Sequence, residues 1–297
     1  MTAIPFFKMS GSGNDFILID NRTSVVPEAR LEELVVGACR RKMSVGADGV
    51  ILVEPSESVD FKWRFFNSDG SLPDMCGNGA RCAARFAFLK GIAGRKMAFE
   101  TLAGVIEAEV GDAGVRIRMT DPKDFRLDYR LEMDGRTVAV SSVNTGVPHA
   151  VMMVDDIEAV DIASVGRSIR YHPEFAPDGT NANFVELNPA GEIFIRTYER
   201  GVEAETLPCG TGNVAAALIL ARERGLASPV TLTTRSGGRL TVHFICREEG
   251  FSDVFLEGDA RVIYRGELWE EAWRGEGSGI RFTSPWAPIL PTNWTTA

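Results

Sequence analysis

Residues 61–92 read FKWRFFNSDGSLPDMCGNGARCAARFAFLKGI, and residues 193–226 read IFIRTYERGVEAETLPCGTGNVAAALILARERGL. Each stretch runs from an alternating apolar segment through a polar loop to Cys-Gly-x-Gly, and then into a long apolar segment with helical spacing. Asn67 precedes Cys76 by nine positions, as Arg200 precedes Cys209. A repeat this long is not that of a solenoid. It predicts two related domains that each contribute one copy to a shared cleft.

The rest of the chain mixes strand and helix signals without a strict alternation of the two. Apolar runs bounded by turn residues predict strands at 16–22, 48–54, 62–71, 115–121 and 137–143. Longer periodic stretches predict helices over 29–42, 79–94 and 211–227. This mixture favours an α+β fold of two similar domains over a doubly wound parallel sheet.

Proline and charged residues interrupt the strands near Pro122, which places the domain boundary there. We therefore expect a first α+β domain at 1–121, which carries Cys76, and a second at 122–274, which carries Cys209. Residues 275–297 are rich in Gly, Pro and Ser and have no period. The conformation of this tail is left open, with packing against the first domain as one alternative.

Composition excludes several classes of function. The chain has 297 residues and a formal net charge of -9, which disfavours a nucleic-acid partner because phosphate binding needs a concentrated basic surface. The run Arg40-Arg41-Lys42 is interpreted as a solvated face. No secretory signal or membrane-length apolar segment is visible, so a cytoplasmic protein without membrane contact is expected. Five cysteines, an odd number, favour reduced thiols over a disulfide framework.

A Cys-Gly-x-Gly sequence at the start of a helix has a specific chemistry. Glycine lets a ligand approach the backbone closely, and the first turn of a helix exposes N–H groups that have no partner within the helix. These donors and the helix dipole form an anion site. The same field favours a thiolate, so we expect the pKa of each cysteine to move from about 8.5 toward neutrality.

Two such helix ends facing each other would suit inversion of a carbon centre. A small carboxylate held by the N–H groups of Gly77, Asn78, Gly210 and Thr211 would have one sulfur on each side of its α-carbon. One cysteine, as thiolate, would remove the α-proton, and the other, as thiol, would deliver a proton to the opposite face. This reaction needs no metal and no organic cofactor.

Simpler interpretations apply to the other candidates. A single Cys-Gly-x-Gly is usually structural, and the duplication is what favours catalysis. Cys39, Cys82 and Cys246 are expected in the core. His149 is expected to be a hydrogen-bonded structural histidine. The glycine-rich segments lack the third glycine of a dinucleotide fingerprint, and no Cys or His spacing typical of zinc is present.

The motifs together resemble the diaminopimelate epimerase family of cofactor-independent enzymes. The resemblance extends to about residue 270 and includes, in the family's order, KMSGSGNDFILID, VGADGVILVE, FFNSDGSLPDMCGNGARC, TGVPHAV, DGTNANFVEL and YERGVEAETLPCGTG. It implies two similar domains, each with a barrel-like sheet around a helix, and an active site between them. It also implies interconversion of LL- and meso-diaminopimelate in lysine and peptidoglycan synthesis, often by a homodimer.

Carried over residue by residue, the resemblance assigns Cys76 and Cys209 as the catalytic pair. It assigns five further residues to substrate binding: Asn14, Asn67, Asn181, Glu199 and Arg200. The residue types agree with these roles, because an arginine can hold a distal carboxylate by a bidentate fork and a glutamate can accept from an ammonium.

The chain departs from the family pattern at four places. Val147 stands where many members have asparagine, the loop before Cys209 is one residue longer than usual, Pro208 replaces a usual alanine, and the tail is extended. These departures concern recognition of the far end of the substrate. Two alternatives therefore stay open: a racemase or epimerase of another amino acid, of the histidine or proline type, and a non-catalytic thiol-redox binding protein.

Overall fold

The computed structural model describes residues 3–133, 135–207 and 209–274, and within these ranges it contains 17 strands and four α-helices. The elements of the first half are β1 (Ile4–Gly11), β2 (Asn14–Asp20), α1 (Leu31–Cys39), β3 (Gly49–Glu54), β4 (Phe61–Asn67), α2 (Gly77–Leu89), β5 (Lys96–Thr101), β6 (Gly104–Val110) and β7 (Val115–Arg118). The elements of the second half are β8 (Lys123–Met133), β9 (Arg136–Asn144), β10 (Pro148–Met153), α3 (Ile162–Arg170), β11 (Asn181–Leu187), β12 (Ile193–Glu199), β13 (Ala204–Thr206), α4 (Gly210–Arg224), β14 (Val230–Thr234), β15 (Arg239–Arg247), β16 (Gly250–Gly258) and β17 (Arg261–Leu268). Single 3₁₀ turns lie at Glu28–Arg30, Pro173–Phe175 and Glu270–Ala272.

The strands of the two halves pair in the same order. In the first half β2 and β3 are parallel, β3 and β4 antiparallel, β4 and β5 parallel, and β5, β6 and β7 follow antiparallel. In the second half β10 and β11, β11 and β12, β12 and β14, and then β14, β15 and β16 repeat these relations. The prediction of an α+β fold built from two similar units is confirmed.

A helix lies inside the curved sheet of each half. Helix α2 is buried along most of its length, and small residues such as Ala80, Ala83 and Ala84 let the surrounding strands approach it. Helix α4 is apolar on every side, and all residues from Val214 to Leu220 are fully buried. A helix that is hydrophobic all round must be enclosed, so each sheet forms a barrel-like layer around its helix.

A second helix covers the outer face of each sheet. Leu34 and Val35 of α1 belong to one outer apolar cluster, and Ile162 and Ile169 of α3 belong to the other. Helix α3 was not among the helices predicted from the periodic stretches. Its N-cap residue is Asp161, whose side chain accepts a hydrogen bond from the Ser164 N–H at 3.1 Å.

The two halves are joined by strand pairing at two places. Strand β7 pairs antiparallel with β16, so that Ile117 lies opposite Leu256. Strand β17 returns to the first half and pairs with β1, and Trp273 packs in the same cluster as α1. The segment from β17 to Trp273 thus packs on the first half, whereas the predicted limits 122–274 assign it to the second. The division near residue 121 remains a prediction, and the predicted tail 275–297 lies outside the described residues.

The cysteines outside the repeated motif divide into buried and exposed. Cys39 and Cys82 are buried, as predicted, but Cys246 is exposed, so its assignment to the core is wrong. Cys246 lies near the end of β15, where Ile245, Cys246 and Arg247 are all exposed. The β15–β16 register shifts between His243 and Ile245, so the alternation that buries Leu240, Val242 and Phe244 does not continue to Cys246. In the ranges that the structure describes, no helix is long and apolar enough to cross a membrane.

Candidate active site

A cleft of about 1020 Å³ lies between the two halves, and both halves contribute to its walls. Most of the residues predicted for substrate binding or catalysis line it. They are Asn14, Asn67, Cys76, Gly77 and Asn78 from the first half and Glu199, Cys209, Gly210 and Thr211 from the second. The repeated motif therefore brings both cysteines to one cavity.

Cys76 is the N-cap residue of α2. Its backbone is extended (φ -143°, ψ 111°), and its Sγ accepts a hydrogen bond from the Gly79 N–H at 3.5 Å. The sulfur takes the place that a Ser, Thr or Asp oxygen usually takes at a helix N-terminus. Glycine at position 79 fits a close approach of neighbouring side chains, because a Cβ there would lie 3.2 Å from Ile51 Cδ1 and 3.4 Å from the Trp63 ring.

Cys209 holds the equivalent place before α4. Its backbone is also extended (φ -98°, ψ 105°), and its Sγ lies 3.5 Å from Thr211 Oγ1. Gly212 corresponds to Gly79, and here the space is tighter, because a Cβ would lie 2.3 Å from Asn183 Oδ1. Both helices thus begin at a cysteine that is followed by glycine at the first and third positions.

The prediction that the helix ends bring the cysteine pKa values toward neutrality is wrong. Burial raises the pKa of Cys76, although the N–H groups of Gly79 and Asn78 oppose it. Burial raises the pKa of Cys209 to about 11, and the nearby carboxylate of Glu199 acts in the same direction. Removing a thiolate from water costs more free energy than the helix N–H groups return.

This raised pKa predicts how Cys209 reacts with iodoacetamide. Because only the thiolate reacts, and its fraction below the pKa rises tenfold for each pH unit, alkylation should accelerate about tenfold per unit between about pH 7 and pH 9. The rate would be read by mass spectrometry of the Cys209 peptide, in a Cys246→Ser background that removes the exposed thiol. A rate that levels off within this range would contradict the raised pKa.

Glu199 and Arg200 point to different surroundings because adjacent residues at the end of a strand face opposite sides. Glu199 lines the cleft. The Arg200 guanidinium instead donates to the Asp178 carbonyl at 3.4 Å, and its backbone N–H donates to Asn181 Oδ1 at 2.9 Å. Asn181 Nδ2 donates to the Pro148 carbonyl at 3.0 Å. Arg200 and Asn181 therefore lie beside the cleft, outside the residues that line it, and their role in binding remains a prediction.

Several charged residues of the cleft were not predicted. Arg41, Asp48 and Arg118 all line it. Arg41 bridges Asp15 at 2.6 Å and Asp48 at 2.8 Å, so one residue of the run interpreted as a solvated face belongs to the wall of the cleft. The sequence of a short basic run does not indicate that one of its residues lines a cleft, because the acidic partner Asp15 is distant in sequence.

His149 is buried and does not line the cleft. Asn183 Nδ2 lies 3.1 Å from its Nδ1, and burial lowers the pKa of His149 to about 3. The ring is therefore neutral, in agreement with the prediction of a structural histidine. Within the described residues no group of His, Cys, Asp and Glu side chains has an arrangement that could hold a metal ion.

Comparison with known proteins gives one consistent result. The model of the diaminopimelate epimerase family matches residues 6–125 and 141–262. The diaminopimelate epimerase of Aquifex aeolicus (strain VF5) is 47% identical over 278 residues, which cover 90% of this chain and 98% of that protein. The diaminopimelate epimerase of Hydrogenobaculum sp. (strain Y04AAS1) is 44% identical over 274 residues, which cover 88% and 97%.

Solved structures of more distant proteins share the fold. A Bacillus anthracis phenazine biosynthesis protein of the PhzF family aligns with a TM-score of 0.69 at 16% identity, covering 91% of this chain and all of that one. A hydroxyproline epimerase from Agrobacterium vitis aligns with a TM-score of 0.59 at 17% identity, covering 90% and 92%. At such identities the likeness concerns the fold alone. With the family model matching both halves and relatives matching nearly end to end, this chain belongs to the diaminopimelate epimerase family.

Proposed function

We propose that this chain is an isomerase that interconverts LL- and meso-2,6-diaminopimelate, in lysine and peptidoglycan biosynthesis. The observation that carries the proposal is the pair of cysteines, each capping the central helix of one half and both lining one cleft. Membership of the family supports the choice of substrate. The two-fold repeat of the fold suits a reaction in which two groups act on opposite faces of one carbon.

The proton transfers balance without a net change. The thiolate sulfur of one cysteine forms an S–H bond as the Cα–H bond of the substrate breaks. The other cysteine gives up its S–H proton, which forms a new Cα–H bond on the opposite face. The cysteines have then exchanged roles, so the reverse reaction uses the same pair. The N–H groups of the first helical turns, at Gly77, Asn78, Gly210 and Thr211, stabilise the charge that develops on the carboxylate.

Substrate binding itself helps to generate the thiolate. Burial disfavours the thiolate form of both cysteines. An α-ammonium bound between them would bring a positive charge close to both sulfurs, and an opposite charge at close range favours the charged form of a thiol. We therefore expect substrate binding to increase the thiolate fraction.

Recognition of the far end of the substrate distinguishes this function from a second candidate. Glu199 lines the cleft and suits the distal ammonium. Arg200, which suits the distal carboxylate, lies outside the lining residues, and its guanidinium would have to leave the Asp178 carbonyl to reach a substrate. Val147 also lines the cleft, and an apolar side chain there cannot donate to a carboxylate. This one observation favours the alternative of another amino acid, such as histidine or a proline derivative, with the same two-cysteine chemistry.

Proton NMR in D2O tests the proposal directly. LL-diaminopimelate incubated with reduced protein should lose its α-proton signal as the meso isomer forms, with L-histidine and L-proline in parallel samples. A Cys76→Ser/Cys209→Ser double variant is the matched control. Exchange of only another amino acid would move the substrate to the second candidate. Exchange of none would favour the non-catalytic thiol-redox alternative.

A further inference from the structure

The side chains of Asn14 and Asn78 form the centre of a hydrogen-bonded chain on the first-half wall of the cleft. Asn78 Nδ2 donates to Asn14 Oδ1 at 2.8 Å, and Asn14 Nδ2 donates to Asp48 Oδ2 at 2.9 Å. At the other end Arg81 Nη2 donates to Asn78 Oδ1 at 2.7 Å. Asp48, Asn14 and Asn78 line the cleft, whereas Arg81 is fully buried behind them.

Arg81 and Asp48, at the two ends of this row of hydrogen bonds, fix the direction of both asparagine amides. A guanidinium can only donate and an ionised carboxylate can only accept, whereas a side-chain amide does both. If either amide were turned over, its NH2 group would face another donor and its oxygen another acceptor. The Arg81–Asn78 bond is buried and the other two are part-buried, so such a mismatch is costly.

The ends are themselves held in place. Arg81 Nη2 also donates to Ser12 Oγ at 2.8 Å. Asp48 Oδ2 also accepts from the backbone N–H of Asp15 at 3.1 Å, and Asp48 Oδ1 accepts from Arg41 Nη2 at 2.8 Å. Neither end can therefore rotate to follow a reversed amide.

The internal repeat shows that the fold alone does not require this arrangement. Arg81 lies five residues after Cys76, and Val214 lies five residues after Cys209. Both side chains are fully buried. Since an apolar side chain fills this position in the second half, a buried guanidinium in the first half is an avoidable desolvation cost. It indicates a task that belongs to the first-half wall of the cleft.

We propose that Asp48 and Arg81 are positioning residues that hold the Asn14 and Asn78 amides in one direction for binding of an amino-acid substrate. This inference rests on the proposed function. Each amide uses one N–H and one lone pair within the chain and keeps one of each. Its direction therefore decides which edge meets an ammonium and which meets a carboxylate, and a substrate bound the other way round meets like groups.

Two substitutions of Asp48 separate positioning from charge. In Asp48→Asn the fixed N–H of Asp15 selects the oxygen of the new amide, so Asn14 keeps an acceptor, and only Arg41 loses one of its two acidic partners. In Asp48→Ala the acceptor is lost. For LL-diaminopimelate we expect KM to rise about tenfold in Asp48→Ala and less than about threefold in Asp48→Asn, with kcat nearly unchanged in both. Asp112→Asn, which removes an exposed partner of Arg95 away from the cleft, is the control.

Arg81→Met completes a double-mutant cycle with Asp48→Ala. Each single variant leaves one end that orients the two amides in part, so KM of the double variant should rise by more than the product of the two single effects. If Arg81→Met does not fold, the comparison of the two Asp48 variants decides the matter. A second measurement needs no substrate: in ¹⁵N NMR of the ligand-free protein, the side-chain NH2 hydrogens of Asn14 should exchange faster in Asp48→Ala than in Asp48→Asn.

Each possible result either supports or contradicts the positioning role of Asp48 and Arg81. Equal KM values in Asp48→Asn and Asp48→Ala would overturn the inference, because both variants remove the carboxylate charge while only one removes the acceptor. Unchanged amide exchange in Asp48→Ala would also overturn it. If the wild type does not exchange diaminopimelate at all, the proposed function fails, and the amide exchange then tests the hydrogen-bonded chain separately.

Discussion

Replacement of Cys76 or Cys209 by serine should lower kcat for LL-diaminopimelate by about 1,000-fold or more. General acid–base groups contribute about 10²- to 10⁴-fold, and a serine hydroxyl is a much weaker acid than a thiol, so the alkoxide needed to remove an α-proton is hardly formed. KM should change little, because the N–H groups at the helix ends remain. Kinetics of each variant, with Cys246→Ser as a control that changes an exposed thiol, would measure this effect.

The two serine variants should also differ from each other in hydrogen exchange. Each keeps one sulfur, which can reach only one face of the α-carbon. One variant should exchange the α-proton of the LL isomer with solvent, and the other should exchange only the D centre of the meso isomer, in both cases without inversion. Exchange of the same isomer by both variants would mean that each sulfur reaches the same face, which contradicts the assignment of one cysteine to each face.

Among the glycines of the repeated motif, Gly212 should be the one at which replacement by alanine lowers stability and activity most. The new Cβ would lie 2.3 Å from Asn183 Oδ1 and 3.3 Å from Cys209 Sγ. Asn183 cannot yield, because it is fully buried and its Nδ2 donates to the Ala150 carbonyl at 2.9 Å. We expect a loss of about 1–3 kcal/mol in the free energy of unfolding from overpacking, and about a 100-fold loss of kcat as Cys209 is displaced.

Gly79→Ala provides the matched comparison, since Gly79 holds the same place after Cys76. Its Cβ would meet the end of the Ile51 side chain at 3.2 Å, which can shift by a few tenths of an ångström. The loss of kcat should stay below about tenfold, and the melting temperature should fall less than in Gly212→Ala. Thermal unfolding and steady-state kinetics of both variants decide the question, and equal damage at the two positions would contradict this account.

The parts of the fold predicted correctly from the sequence are those with a local signal. Helices α1, α2 and α4 follow from apolar spacing, and the repeat of Cys-Gly-x-Gly predicted that two similar units face one cleft. The return of β17 to β1 was not predicted, because pairing between strands at opposite ends of the chain has no local pattern. Cys246 was misplaced because the shift in the β15–β16 register that ends the alternation has no signal in the sequence.

In the candidate site, too, the features with a local sequence pattern were predicted and those that depend on the folded chain were not. Nearly all residues named from the motifs line the cleft, because the motifs are the cleft-facing ends of strands and helices. The pKa values of the cysteines were predicted in the wrong direction. The field of the helix follows from the local sequence, whereas burial of the thiols depends on how the whole chain folds. Arg41 and Asp48 were not predicted either, because their place depends on a network with Asp15 and Asn14 that exists only in the folded chain.

The pairing of β17 with β1 bears on how the protein is made. As the chain leaves the ribosome, the first half emerges with two strand edges unpaired, that of β7, which waits for β16, and that of β1, which waits for β17. Unpaired edges promote aggregation of nascent chains. A chain truncated before Arg261 would keep the edge of β1 open, so the last strand of the described residues completes the first unit to appear.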